Sequence, residues 1–286
     1  MKKRKKVLVV DDDRALNHVL VELLRRAGFH ATGVTDGVSA SSRLEREKFD
    51  AVVLDVDLPK MSGLDVLERI RAKESHPPKV LVITADGTSE TVLRAVKQQA
   101  YQFAAKPLNP SSIVEIVEQM LANESEPATI EVISAKPDWV ELLVPCRIEM
   151  ADRLNSFLQR FNIHLPEEVQ YAVESAFCEM LRNAIEWGGQ FDPTRKVRIA
   201  YIRAGRMLLY RIQDPGAGFR FEKLAHAAVN NAPDKPHDHI MVREQLGLRP
   251  GGFGLLMTRS MVDELIYNEH HNEVVFVKYL DGAGHS

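Results

Sequence analysis

The chain is poor in cysteine, in long apolar runs and in excess charge. Cys146 and Cys178 are the only cysteines in 286 residues, and each is isolated among apolar neighbours. That argues against a disulfide framework or a thiolate metal site and reads as reduced core residues. No apolar run approaches the roughly 20 residues that span a bilayer. The basic opening, Met1 to Lys6, runs straight into Val7-Leu-Val-Val10 and then acids, without the apolar core of a signal peptide. A cytoplasmic location with no membrane partner is therefore expected. Net charge is −3 and no basic recognition helix is apparent, so direct DNA binding is not expected. Internal repeats and low-complexity tracts are lacking too.

What is present divides in two, as the length favours. Up to about residue 121, short β-branched runs alternate with amphipathic stretches. The runs are Lys6–Val10, Ala31–Thr35, Ala51–Asp55, Val80–Thr84 and Tyr101–Ala105. Several are apolar throughout, as in parallel strands covered on both faces. Leu16, Val19, Leu20, Leu23 and Leu24 show helical spacing between two of them. The expectation is a doubly wound α/β domain over 1–121 with a five-stranded parallel sheet and its site beyond the strands' carboxyl ends.

Residues 122–136 are polar, contain proline and read as a linker. The remainder, 137–286, has strand patterns at Trp139–Pro145, Val197–Ile202 and Met207–Gln213 and a hairpin of Glu264–Asn268 with Glu273–Tyr279. Helical patterns cover Arg147–Asn162, Pro166–Trp187 and Gly254–Val262. This predicts an α+β sandwich, a mixed sheet with helices on one face. The stretch from Arg220 to Gly251 is irregular, and a long loop in a compact domain is usually functional.

Chemistry concentrates at strand ends in the first half. Asp11 and Asp12 follow the first strand, and Asp55 ends the third. Grouped carboxylates repel unless a cation joins them, and a hard divalent ion such as Mg²⁺ suits oxygen ligands. A carboxylate can then act as a nucleophile toward phosphate. Thr84 supplies a hydroxyl and Lys106 a positive charge, with Pro107 to fix its loop. A single acid at a strand end is usually a solvated loop residue; five such chemistry-bearing positions in order, each at a strand end, are not.

In the second half Glu179 and Asn183, at i and i+4, share one helix face. The Asn oxygen suits Mg²⁺, while Glu179 can orient or deprotonate a hydroxyl. Asp214-Pro-Gly-Ala-Gly218 follows a strand; its Asp can accept from an exocyclic amine, and its glycines admit a close ligand. Gly251-Gly-Phe-Gly254 opens a helix, a good phosphate seat. Each motif alone is weak, and their order gives them weight. His237-Asp-His239 and His270-His271 read as solvated side chains rather than metal sites.

The first half resembles the receiver domain of two-component response regulators, through Val7-Leu-Val-Val-Asp-Asp-Asp13, Leu54-Asp-Val-Asp-Leu-Pro59, Met61-Ser-Gly63, Val82-Ile-Thr-Ala85 and Lys106-Pro107. The resemblance implies Asp55 as phosphoacceptor, with Asp11, Asp12, Asp55 and the Asp57 backbone carbonyl around Mg²⁺. It implies Thr84, Phe103 and Lys106 as switch residues, and a sensor histidine kinase as partner. Gln99 departs from the usual Gly. Residues 139–280 resemble the Bergerat-type ATPases, nearest the anti-sigma serine kinases. That implies ATP and Mg²⁺ as cofactors, Glu179 as general base and Asn183 as the metal ligand. It implies Asp214 as the adenine reader, Gly216 and Gly218 at the pocket base, and Gly252 and Gly254 at the phosphates. Trp187 stands where the family often has His.

The implied activity is a phosphorelay protein whose receiver controls a serine/threonine kinase or anti-sigma-type output. Its partner would be an anti-sigma-factor antagonist or a sigma factor, and a homodimer is compatible with this reading. The alternative is a non-catalytic, ATP-dependent module that sequesters such a partner. A hybrid histidine kinase is disfavoured, because the roughly 17 residues from Leu121 to Trp139 cannot form a two-helix dimerisation hairpin at 1.5 Å per residue.

Overall fold

A computed structural model describes residues 4–73, 77–85, 88–107, 109–122, 128–162, 164–220, 227–228, 237–245, 247 and 252–280. The centre of the expected linker and much of the 220–251 stretch lie outside them. The chain forms two compact units, Met1–Ala128 and Thr129–Ser286.

In the first unit, strands β1 (Lys6–Val10), β2 (His30–Val34), β3 (Ala51–Asp55), β4 (Lys79–Thr84) and β5 (Gln102–Ala105) alternate with helices α1 (Arg14–Arg26), α2 (Gly37–Arg46), α3 (Gly63–Lys73), α4 (Ser89–Lys97) and α5 (Pro110–Ala122). The strand order is β2-β1-β3-β4-β5, parallel throughout. The continuous apolar runs have the predicted cause: β3 and β4 are buried at every residue. Val7, Val9, Val53 and Ile83 pack on Leu20 and Leu24 of α1 and on Ile113 and Val117 of α5. Asp13 caps α1, its side chain accepting from the backbone N–H of Ala15 and Leu16. Gln99 adopts φ +58°, the left-handed backbone that favours Gly. Arg71 steadies this turn by donating to the carbonyls of Gln98 and Gln99 at 3.1 and 2.6 Å.

The second unit holds β6 (Glu131–Lys136), β7 (Trp139–Pro145), α6 (Glu149–Phe161), α7 (Glu167–Asn183), β8 (Lys196–Ala204), β9 (Met207–Gln213), α8 (Asp238–Gln245), α9 (Gly254–Met261), β10 (Glu264–Tyr267) and β11 (Glu273–Tyr279). Its sheet runs β10-β11-β9-β8-β7-β6, and every described pairing is antiparallel. Tyr201, Tyr210 and Phe276 line up across three strands, with Tyr210 stacked on Phe276 at 4.8 Å between ring centres. Phe161 of α6 and Phe177 of α7 meet this row, so the helices cover that face.

Two findings differ from the sequence reading. Residues 131–136, read as linker, form edge strand β6 paired with β7. Its two faces alternate between half-buried and exposed, so no apolar run marks it. α7 does not continue as an α-helix to Trp187: residues Ala184–Gly188 form a π turn closed by Gly189 N–H on the Ala184 carbonyl at 2.8 Å. Among the described residues, no helix is long and apolar enough to cross a membrane.

Candidate functional site

The first unit gathers its chemistry at the carboxyl ends of β1, β3, β4 and β5. Asp11 and Asp55 are each 1% exposed, whereas Asp12 faces solvent. Oxygens of Asp11, Asp12 and Asp55 all lie within 4.8 Å of one another, and this is the only such acidic or metal-ligating group among the described residues. Lys106 Nζ lies 2.5 Å from Asp55 Oδ2 and 3.0 Å from Asp11 Oδ2. Burial, and then the charge of Asp55, raise the Asp11 carboxyl above its ordinary range against the pull of Lys106. Burial works against the Lys106 charge, but its hydrogen bonds to Asp55 and Asp11 outweigh that and hold the ammonium above its ordinary value.

Three carboxylates facing one ammonium leave an uncompensated negative charge, and their hard oxygens fit a divalent cation such as Mg²⁺. The loop after β3 stays close to it: Asp57 N–H donates to Asp55 Oδ1 at 3.2 Å, and Thr84 Oγ1 donates to Asp57 Oδ2 at 3.3 Å. Gly63 closes that loop, since a Cβ there would lie 1.9 Å from the Asp55 carbonyl. Phe103 is buried, and the Lys106–Pro107 peptide is cis.

The second unit holds a cleft of about 530 Å³. Glu179, Asn183, Asp214, Gly216, Gly218, Gly252 and Gly254 all line it. α7 supplies the first two, and the loop after β9 supplies Asp214 to Gly218. The start of α9 supplies Gly252 and Gly254; its N-cap residue, Phe253, has no side-chain capping bond to these N–H groups, and such a helix start suits an anion. Burial lifts the Asp214 carboxyl above its ordinary range, opposed by the Gly216 N–H at 2.7 Å and by Arg195. The cleft walls fit closely. A Cβ on Gly188 would lie 2.2 Å from Asp214 Cγ, and one on Gly254 would lie 1.8 Å from Glu179 Oε1. Gly218, at φ +81°, leaves 1.6 Å between such a Cβ and the His270 carbonyl.

Trp187, Arg243, Tyr267, His271 and Asn272 also line the cleft and were not assigned to it from sequence. The sequence marks Trp187 only as a departure at that helix position. His239, read as solvated, is fully buried edge-to-face on Phe253, with ring centres 4.4 Å apart. His271 is half-buried, and its Nδ1 lies 3.0 Å from the Phe219 carbonyl.

A parallel doubly wound sheet with this acidic pocket defines a receiver-type unit, joined here to a unit with an ATPase-type cleft. The chain belongs to the response regulator receiver family, joining a response regulator receiver domain over residues 7–118 to a histidine kinase-like ATPase domain over residues 144–278. It is similar to the sensory transduction protein RegX3 of Mycobacterium tuberculosis, 36% identical over 115 residues, covering 40% of this chain and 50% of that protein. The chemotaxis protein CheY of Thermotoga maritima is 32% identical over 117 residues, covering 41% of this chain and 97% of that protein. A solved CheY-like receiver domain protein from Methanospirillum hungatei JF-1 has a TM-score of 0.41 and 24% identity, covering 42% of this chain and 95% of that one. The chain spans about half the length of the first curated relatives it matches.

Proposed function

We propose that this is a cytoplasmic phosphorelay protein in which a sensor histidine kinase phosphorylates Asp55, and the receiver then controls an ATP-binding output that acts as a protein serine/threonine kinase. Asp55 offers a buried carboxylate oxygen to the incoming phosphorus, with Lys106 beside it to meet the phosphoryl oxygens. Thr84 sits one hydrogen bond away on Asp57, close enough to exchange that partner for the new group. Asp11, Asp12, Asp55 and the Asp57 carbonyl would hold Mg²⁺, which offsets phosphoryl charge when bound. In the output unit Asp214 would read the adenine amine, Asn183 would hold the nucleotide's metal ion, and Gly252 and Gly254 would admit the phosphates. Glu179 would take the proton of a Ser or Thr hydroxyl as it attacks the γ-phosphorus, with ADP leaving. An anti-sigma-factor antagonist is the substrate class this reading favours.

The observation that carries the reading is the single cleft lined by Glu179, Asn183, Asp214 and the two glycine pairs. One contact favours the alternative, an ATP-dependent module that sequesters a sigma factor or its antagonist. The Glu179 carboxylate packs against the Gly254 backbone, which suits a structural wall as well as a base. The test is incubation with γ-labelled ATP and Mg²⁺ in host lysate, beside Glu179→Gln. An acid-stable labelled partner, lost in the variant, is the expected result. Intact ATP binding with no labelled partner would favour sequestration, and acid-labile label would point to a histidine–aspartate relay.

A further inference from the structure

The turn between β10 and β11 is bonded to the loop that leaves β9. Asp214 N–H donates to the Asn272 carbonyl at 2.8 Å, and Phe219 N–H donates to the His270 carbonyl at 3.2 Å. The Asn272 side-chain amide donates to the Gly216 carbonyl at 3.1 Å. His271 Nδ1 meets the Phe219 carbonyl at 3.0 Å. A carbonyl only accepts, so Nδ1 carries the proton. The imidazole also packs on Phe219 and Tyr267, with ring centres 5.3 and 5.8 Å apart, and lines the cleft. These bonds hold the whole run from Asp214 to Phe219, one wall of the cleft.

We infer that His271 is a positioning residue of the nucleotide site, its Nδ1–H fixing the Phe219 carbonyl and so pre-organising the wall that carries Asp214. The inference rests on the nucleotide reading of the cleft. A wall left loose before binding must be ordered upon binding, and that cost appears in affinity. In that reading the wall carries the adenine reader, Asp214, and ADP and ATP share the adenine. Loosening it therefore weakens ADP and ATP alike.

His271 has φ +58°, a left-handed backbone that Gly adopts freely and Asn tolerates. This separates two roles. His271→Gly relaxes the backbone but removes the donor. His271→Asn keeps a left-handed-tolerant residue and places an amide N–H on Cγ, where Nδ1 is attached in His. The experiment is calorimetric titration of the full chain with ADP and with ATP in Mg²⁺, for the wild type and both variants. His271→Gly should bind both nucleotides about three- to tenfold more weakly, the net worth of one neutral hydrogen bond, with the ATP-to-ADP ratio unchanged. His271→Asn should bind within about twofold of wild type, inside the spread of such hydrogen-bond contributions.

Wild-type affinity in His271→Gly overturns the inference. So does a His271→Asn as weak as His271→Gly, or a loss confined to ATP. A wild-type chain that binds neither nucleotide overturns the nucleotide reading itself, and the inference with it.

Discussion

Removing the Lys106 charge should cost the receiver unit stability in a way that a divalent cation repairs. Lys106 Nζ serves two carboxylates that are almost wholly buried, at 2.5 and 3.0 Å, and its own side chain is 23% exposed. At an effective dielectric constant of about 20, the closer pair alone attracts by roughly 7 kcal/mol, from which the desolvation of both partners must be subtracted. Breaking a buried pair typically costs about 3–5 kcal/mol. Two features keep Lys106→Met toward the low end. The ammonium is partly solvated, and Asp11, already raised, can take up a proton when the lysine is gone. About 3 kcal/mol is the expected loss, or roughly 10 °C in the unfolding midpoint of a domain of this size. Both tryptophans, Trp139 and Trp187, lie in the second unit, so the receiver transition is the one that calorimetry sees and tryptophan fluorescence does not. The gap between wild type and Lys106→Met should be widest in EDTA and narrow in millimolar Mg²⁺, because the ion supplies the missing positive charge. A gap equal in both conditions, or none in EDTA, would refute the view that the pocket is held together by charge balance.

Two other outcomes follow from a half-buried and a fully buried group of the second unit. Asp214 has a raised carboxyl pKa, chiefly from burial. Its ionised form therefore costs stability: the unit gains stability below the ordinary Asp range and loses it as pH rises through the raised value. ATP affinity should move the opposite way, weakening as pH falls through that same window, and titrations of Asp214→Asn should flatten both profiles. Tyr210 is fully buried, and its hydroxyl exchanges hydrogen bonds with the buried Asn162 amide at 3.1 and 3.3 Å. Tyr210→Phe strands that amide and should cost about 1–3 kcal/mol, read from denaturant unfolding followed by tryptophan fluorescence.

The receiver was legible because its signals are local. A parallel strand buried on both faces writes an unbroken apolar run, as in Val7–Val10 and Val80–Ile83, and the acids, Thr84 and Lys106 sit where those runs stop. The cleft was legible where its residues are tied to a helix face or to a glycine, as for Glu179, Asn183 and Gly254. It was not legible where a residue enters through tertiary contact. Nothing in Asn268-Glu-His-His-Asn272 signals that the turn bonds to a loop some 55 residues earlier. Edge strand β6 carries no apolar run, and the burial of His239 depends on Phe253 arriving from another segment.

The π turn after α7 changes how positions along that helix should be compared. A turn closed from residue 189 back to residue 184 spans one residue more than an α turn. The four-residue step that sets Glu179 above Asn183 does not carry on to Trp187. Matching this helix to an uninterrupted one in a relative calls for a one-residue gap between 184 and 188. Deleting one residue there should rewind the turn as α-helix and swing Gly188 off the Asp214 carboxylate, reshaping the cleft beside Asp214 without altering Asp214 itself.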